Sequence, residues 1–170
     1  AVDTFIYGVE REDGIFYPSK ATTQFGEDRR PFQEAYEWRT WRNMKSLEEQ
    51  GIDPLRVLID RAHDKGMEFI ASLRMAAWAG IDPSLRINHE GGRADFAHQE
   101  VRDHGMAVLK ELTWDYPTDG VELDFAFAPH YFQLDQARDN LSLMTDYVRQ
   151  VSEMVRGRPA PRIRKLNPIR

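Results

Sequence analysis

The stretch Val121-Glu122-Leu123-Asp124-Phe125-Ala126-Phe127 has strand length, and its apolar and polar positions alternate along most of it. A strand turns successive side chains to opposite faces. Val121, Leu123, Phe125 and Phe127 therefore share one face, and Glu122, Asp124 and Ala126 share the other. Glu68 to Met75 repeats the pattern, with Phe69, Ala71, Leu73 and Met75 opposite Glu68, Ile70, Ser72 and Arg74. A central strand of an open sheet with helices on both sides should be oily on both faces, whereas a barrel strand points charge into the barrel mouth. This parity favours the barrel over the open doubly wound sheet.

The elements around these two strands alternate in type. Asp3 to Val9 reads as a short strand, followed by a long loop holding Gly14, Pro18 and Gly26. Pro31 opens a helix in which Ala35, Trp38, Trp41, Met44 and Leu47 recur every third residue until Gly51. A second helix takes Asp53 as its N-cap and Pro54 in its first turn, with Leu55, Leu58, Ile59 and Ala62 on one face before Gly66. After the Glu68 strand, a loop with Gly80, Pro83, Gly91 and Gly92 leads to a helix carrying Val101, Gly105, Val108, Leu109 and Leu112, which Pro117 and Gly120 end. A last helix begins near Asp139 and aligns Met144, Tyr147, Val148, Val151 and Val155.

Strand and helix in alternation imply parallel strands joined by right-handed crossovers. The expected fold is α/β, a parallel (β/α) barrel present as a partial or half TIM barrel over residues 1–155. Residues 156–170 are expected to be a basic, proline-rich tail or truncated connection. A complete barrel takes about 250 residues, and three strands are evident here, with room for a fourth in the early loop. The open edges of such a half-barrel invite pairing with a second copy, so a homo-oligomer is expected.

Composition removes several function classes. The chain has 170 residues and no cysteine, which excludes disulfides, thiolate zinc sites and a cysteine nucleophile. A net charge of -5 gives no reason to expect nucleic acid, which needs clustered Lys and Arg. Arg156, Arg158, Arg162, Arg164, Lys165 and Arg170 in the tail read as a solvated charge run. No apolar run reaches membrane-spanning length, and the compartment stays open between secreted and cytoplasmic.

The chemical signal is the carboxylate pair. Strand residues two apart lie about 6.6 Å apart and face the same way, so Glu122 and Asp124 enter one cavity. Asp124 is nearer the C-terminal end, where barrel enzymes keep their active residues, and is the candidate nucleophile or stabilising carboxylate. Arg74, at the corresponding end of a neighbouring strand, is placed to hold Asp124 ionised. The alternative is that Glu122 and Asp124 make ordinary salt bridges with Arg74 and its neighbours. Both acids approach a substrate from one side, so a second catalytic carboxylate would come from another strand. His130 and Tyr131 in the following loop, and Trp78 after Arg74, are candidate substrate-binding residues, the aromatics as sugar platforms. His89, Arg93, Asp95 and His98 cluster in a Gly-rich loop, but their spacing matches no metal signature, so neither metal nor cofactor is expected. His63, Trp38 and Trp41 read as structural.

Asp119-Gly-Val-Glu-Leu-Asp-Phe, with Pro129 and His130 shortly after, resembles the strand signature of family-10-like glycosyl hydrolases, barrel enzymes distantly related to the amylase group. Ile52-Asp-Pro-Leu, Ala62-His-Asp-Lys-Gly-Met-Glu-Phe-Ile and Asp95-Phe-Ala-His-Gln-Glu-Val-Arg extend the resemblance over roughly residues 50 to 132. What it implies is the N-terminal part of a carbohydrate-active barrel, with Asp124 at the nucleophile position. It also implies that the acid comes from later strands. The expected function is hydrolysis of a polysaccharide or oligosaccharide, with a non-catalytic carbohydrate-binding barrel or a structural half-barrel as alternatives.

Overall fold

A computed structural model describes residues 2–11, 14–27, 31–76, 78–87, 93–126 and 130–158. In chain order its elements are β1 (Thr4–Gly8), β2 (Glu10–Arg11), β3 (Gly14–Ile15), α1 (Ala35–Glu49), α2 (Pro54–Asp64), β4 (Glu68–Arg74), a 3-10 turn (Pro83–Leu85), α3 (Gln99–Lys110) continued as a π turn (Glu111–Asp115), β5 (Gly120–Asp124) and α4 (Leu141–Arg156). His89, Gly91, Gly92, Phe127, Pro129, Arg162, Arg164, Lys165 and Arg170, all named above, lie outside the described residues.

β4 is the centre of a three-stranded parallel sheet of order β1-β4-β5, and β2 and β3 form a separate antiparallel pair. Phe69, Ala71 and Leu73 of β4 are fully buried. They join one cluster with Leu55, Ile59 and Ala62 of α2, Val101, Val108 and Leu109 of α3, and Tyr147 and Val151 of α4. Tyr7, Val121 and Leu123 pack against the same cluster. On the opposite face Ile6 is 55% exposed, and Glu68 and Glu122 are also exposed. Among the described residues helices cover one face of the sheet and none covers the other, where Ile6, Glu68 and Glu122 are exposed and Ser72 is buried.

The barrel is therefore corrected to a small mixed α/β fold. Among the described residues β1 and β5 each pair on one side only, and the early loop yields the β2-β3 pair in place of a fourth parallel strand. The alternation of oily and polar residues shows that the two faces have different surroundings and carries no information on closure. Helices on one face and solvent on the other produce the same parity as a barrel wall.

Local rules account for α2. Asp53 Oδ1 accepts the amides of Leu55 (3.0 Å) and Arg56 (3.3 Å), Pro54 supplies the first turn, and Gly66 takes φ of 71° just past the end. The second oxygen, Asp53 Oδ2, accepts from the Tyr116 hydroxyl at 2.7 Å, so the cap also ties α2 to the chain leading into β5. α1 differs from expectation. It starts at Ala35 rather than Pro31, buries Glu37 and Met44, and leaves Trp38 54% exposed. At 3.6 residues per turn a strict every-third-residue repeat drifts by about 60° per step, so it cannot mark a single buried face. α4 runs through Arg156, and the Arg158 guanidinium donates to the carbonyls of Thr118 (2.8 Å) and Asp119 (3.0 Å). Among the described residues no helix is long and apolar enough to cross a membrane.

Two features of α3 lead to measurable outcomes. A Cβ at Gly105 would overlap the Trp78 ring and lie 2.6 Å from the Tyr147 hydroxyl. Gly105→Ala is expected to destabilise by about 1–3 kcal/mol despite the better helix propensity of alanine, because both neighbours are buried; urea unfolding measures it. The adjacent His104 stacks on Trp78 with ring centroids 5.6 Å apart, and its Nε2 is buried without a hydrogen bond among the described residues. Burial holds its pKa below the usual histidine value of 6.5. The unfolded chain then binds the extra proton first as pH falls, so stability drops from about pH 6.5 down to the depressed folded value and levels off below it. His104→Gln removes that portion of the pH dependence, seen as a flatter plot of unfolding free energy between about pH 7.5 and 5.

Candidate functional site

The C-terminal ends of β4 and β5 bring Arg74 and Asp124 together. The parallel register sets Ser72 opposite Glu122, Leu73 opposite Leu123 and Arg74 opposite Asp124. Arg74 and Asp124 thus stand side by side on the open face, across a strand spacing of about 4.8 Å. The pairing holds through the last residue, since Met75 N donates to Asp124 O at 3.1 Å. Asp124 is half-buried, and its Oδ1 accepts the Ala126 amide at 2.9 Å, which turns the chain out of the strand. Glu122, one pleat back, is exposed. Both acids project from the same face of β5, which among the described residues pairs with β4 alone, Glu122 into solvent and Asp124 half-buried.

Tyr131 fixes the loop beside Asp124. Its hydroxyl donates to Phe125 O at 2.8 Å, its ring meets Phe125 and Phe96 edge to face, and its carbonyl accepts the Phe96 amide at 2.9 Å. Burial pushes the Tyr131 pKa up, the charge of Asp124 adds to the rise, and the charge of Arg93 opposes it. The phenol therefore remains a proton donor at neutral pH and lies within electrostatic reach of both charges. With its ring held between two phenylalanines, Tyr131 positions the loop more than it offers a free stacking face.

His130 is exposed and lines a cleft of about 400 Å³ with Ile87, Arg93, Phe132, Gln133, Leu134 and Asp135. The walls of this cleft come from the chain after β4 and the chain after β5, joined through the bond between Phe96 and Tyr131. Arg93 and His130 thereby meet at the same sheet end as Asp124. Sequence reasoning placed Arg93 only in a Gly-rich loop, and no local signal links it to His130.

Trp78 is corrected from a sugar platform to a core strut. It is 2% exposed, its Nε1 donates to Arg74 O at 2.6 Å, and its ring packs on Phe96 and His104. No face is left for a ligand, but the indole holds the strand end that carries Arg74. The remaining members of the His-rich loop diverge. Asp95 is buried with Oδ1 accepting the Ala97 amide at 3.0 Å, and His98 is the N-cap residue just before α3. Among the described residues no group of three His, Asp or Glu side chains is placed to hold a metal ion.

Polar groups elsewhere serve the fold. His63 Nε2 lies 2.8 Å from Asp119 Oδ2, which also accepts the Phe69 amide at 2.7 Å, at the opposite end of the sheet from Asp124. Buried Glu111 accepts from the Tyr17 hydroxyl (2.9 Å), the Ser19 hydroxyl (2.6 Å) and the Lys20 amide (2.7 Å). Three donors satisfy that carboxylate, and it anchors the early loop to the π turn.

Comparison with known proteins finds no protein-family model and no curated protein sequence that matches this chain.

Proposed function

We propose that this chain contributes the nucleophile side of a glycoside hydrolase acting on an oligosaccharide or polysaccharide. Asp124 acts as nucleophile or charge stabiliser, Glu122 and Arg74 form its electrostatic setting, and His130 lies along the substrate path. The observation that carries the reading is the position of Asp124, a half-buried carboxylate at the C-terminal end of a parallel strand and in register with a guanidinium. Ligand sites of parallel α/β sheets gather outside the carboxyl ends of the strands. Glycoside hydrolysis uses a carboxylate so placed as nucleophile or as stabiliser of an oxocarbenium-like transition state.

A second reading, non-catalytic carbohydrate binding, is favoured by the origin of both acids on one strand. A glycosidase pair flanks the scissile bond at about 5–5.5 Å for retention or about 6.5–9.5 Å for inversion. Glu122 and Asp124 instead approach a sugar from one side. Sugar hydroxyl groups donate to such carboxylates without any bond being cleaved.

Asp124→Asn in the full-length chain separates the two. Release of reducing ends from a panel of soluble glycans is measured beside calorimetric binding of the same glycans. The hydrolase reading expects turnover to fall by about 10³-fold or more with binding retained. Binding by the unsubstituted chain with no turnover supports the second reading, and absence of both contradicts the two together.

A further inference from the structure

Arg93 occupies a fixed place at the sheet end. Ile87 N donates to Arg93 O at 2.8 Å, and Ala94 N donates to Ala76 O at 3.0 Å. The next residues, Ala94, Asp95 and Phe96, are buried. From this braced backbone the half-buried Arg93 side chain lines the cleft shared with His130, Phe132 and Asp135. Among the described residues its guanidinium makes no hydrogen bond or ion pair.

A partly desolvated guanidinium without a hydrogen-bonding partner is costly, and its planar fork matches a carboxylate or sulfate with two parallel bonds. The other lining groups fit a sugar bearing such an anion. His130 adds a second donor beside Arg93, buried Phe132 gives an apolar floor, and Gln133 supplies both donor and acceptor for hydroxyls. Asp135 also lines the cleft, but it is exposed, where water and salt screen its charge more than that of half-buried Arg93. The cleft lies next to the Asp124 site, because Tyr131, held to Phe125 O just after Asp124, stands between the lining residues His130 and Phe132.

We propose that this cleft is a subsite for an acidic sugar, in which Arg93 pairs with the carboxylate or sulfate and His130 is the second donor. The proposal rests on the carbohydrate reading above and narrows its substrate class to anionic glycans.

Calorimetric titration of the full-length chain with oligogalacturonate, sulfated dextran oligosaccharides and unmodified dextran oligosaccharides tests it, with Arg93→Gln alongside. At least one acidic glycan is expected to bind about tenfold or more tightly than dextran, with affinity falling as salt rises. Arg93→Gln brings that glycan down to the level of dextran while the unfolding midpoint shows the fold intact. Preference for oligogalacturonate assigns the carboxylate, and preference for the sulfated glycan assigns the sulfate. Equal affinity for acidic and neutral glycans, no binding of any of the three, or an unchanged preference in Arg93→Gln overturns the proposal. Acidic preference without turnover removes the hydrolase reading and keeps the subsite, whereas turnover of neutral glycans with no acidic preference removes the subsite alone.

Discussion

β4 has its backbone paired on both edges and one face sealed against helices. Phe69, Ala71 and Leu73 are the apolar side chains that α2 and α3 cover, and alternate backbone groups of the same strand bond to β1 on one side and β5 on the other. Burial of these residues drives the helices onto one face. Because side chains alternate, the same constraint sends Ser72 and Arg74 to the face that no helix covers. The position of the polar residues follows from the demand of the apolar ones.

That arrangement concentrates chemistry at one rim. Parallel strands put all their C-terminal ends together, so the register alone sets Arg74 beside Asp124. The chain leaving β4 must cross the same rim as the chain leaving β5, and the bond from Phe96 N to Tyr131 O stitches them. The opposite rim is used for stability. His63, Asp119 and Arg158 lock the entry to β5, and Asp53 with Tyr116 locks the start of α2.

How much of this is legible in the sequence depends on how local the cause is. Asp53, Pro54 and Gly66 mark α2 because caps and turns act within a few residues. The parity of Glu68 to Met75 and of Val121 to Asp124 reveals the strands and the shared face of Arg74, Glu122 and Asp124. Closure of the sheet is not legible, since a strand's alternation is blind to what lies beyond its polar face. Trp78 stands among residues of weak apolar character and reads as exposed; its burial is set by Gly105, a distant residue whose missing side chain leaves room for the indole. The pairing of Arg93 with His130 in one cleft likewise depends on a long-range backbone bond that no spacing encodes.

The central claim is that β5 is an edge strand presenting Glu122 and Asp124 from an open face. Asp124 O accepts the Met75 amide, and the N–H and C=O of one strand residue point to the same side, so with Arg74 opposite Asp124 the amides of Glu122 and Asp124 point to β4 and those of Val121 and Leu123 point away. Residue-resolved amide hydrogen exchange under native conditions reads this directly. Slow exchange at Glu122 and Asp124 with exchange faster by orders of magnitude at Val121 and Leu123 agrees with the account; equal protection at all four places another strand against β5 and contradicts it.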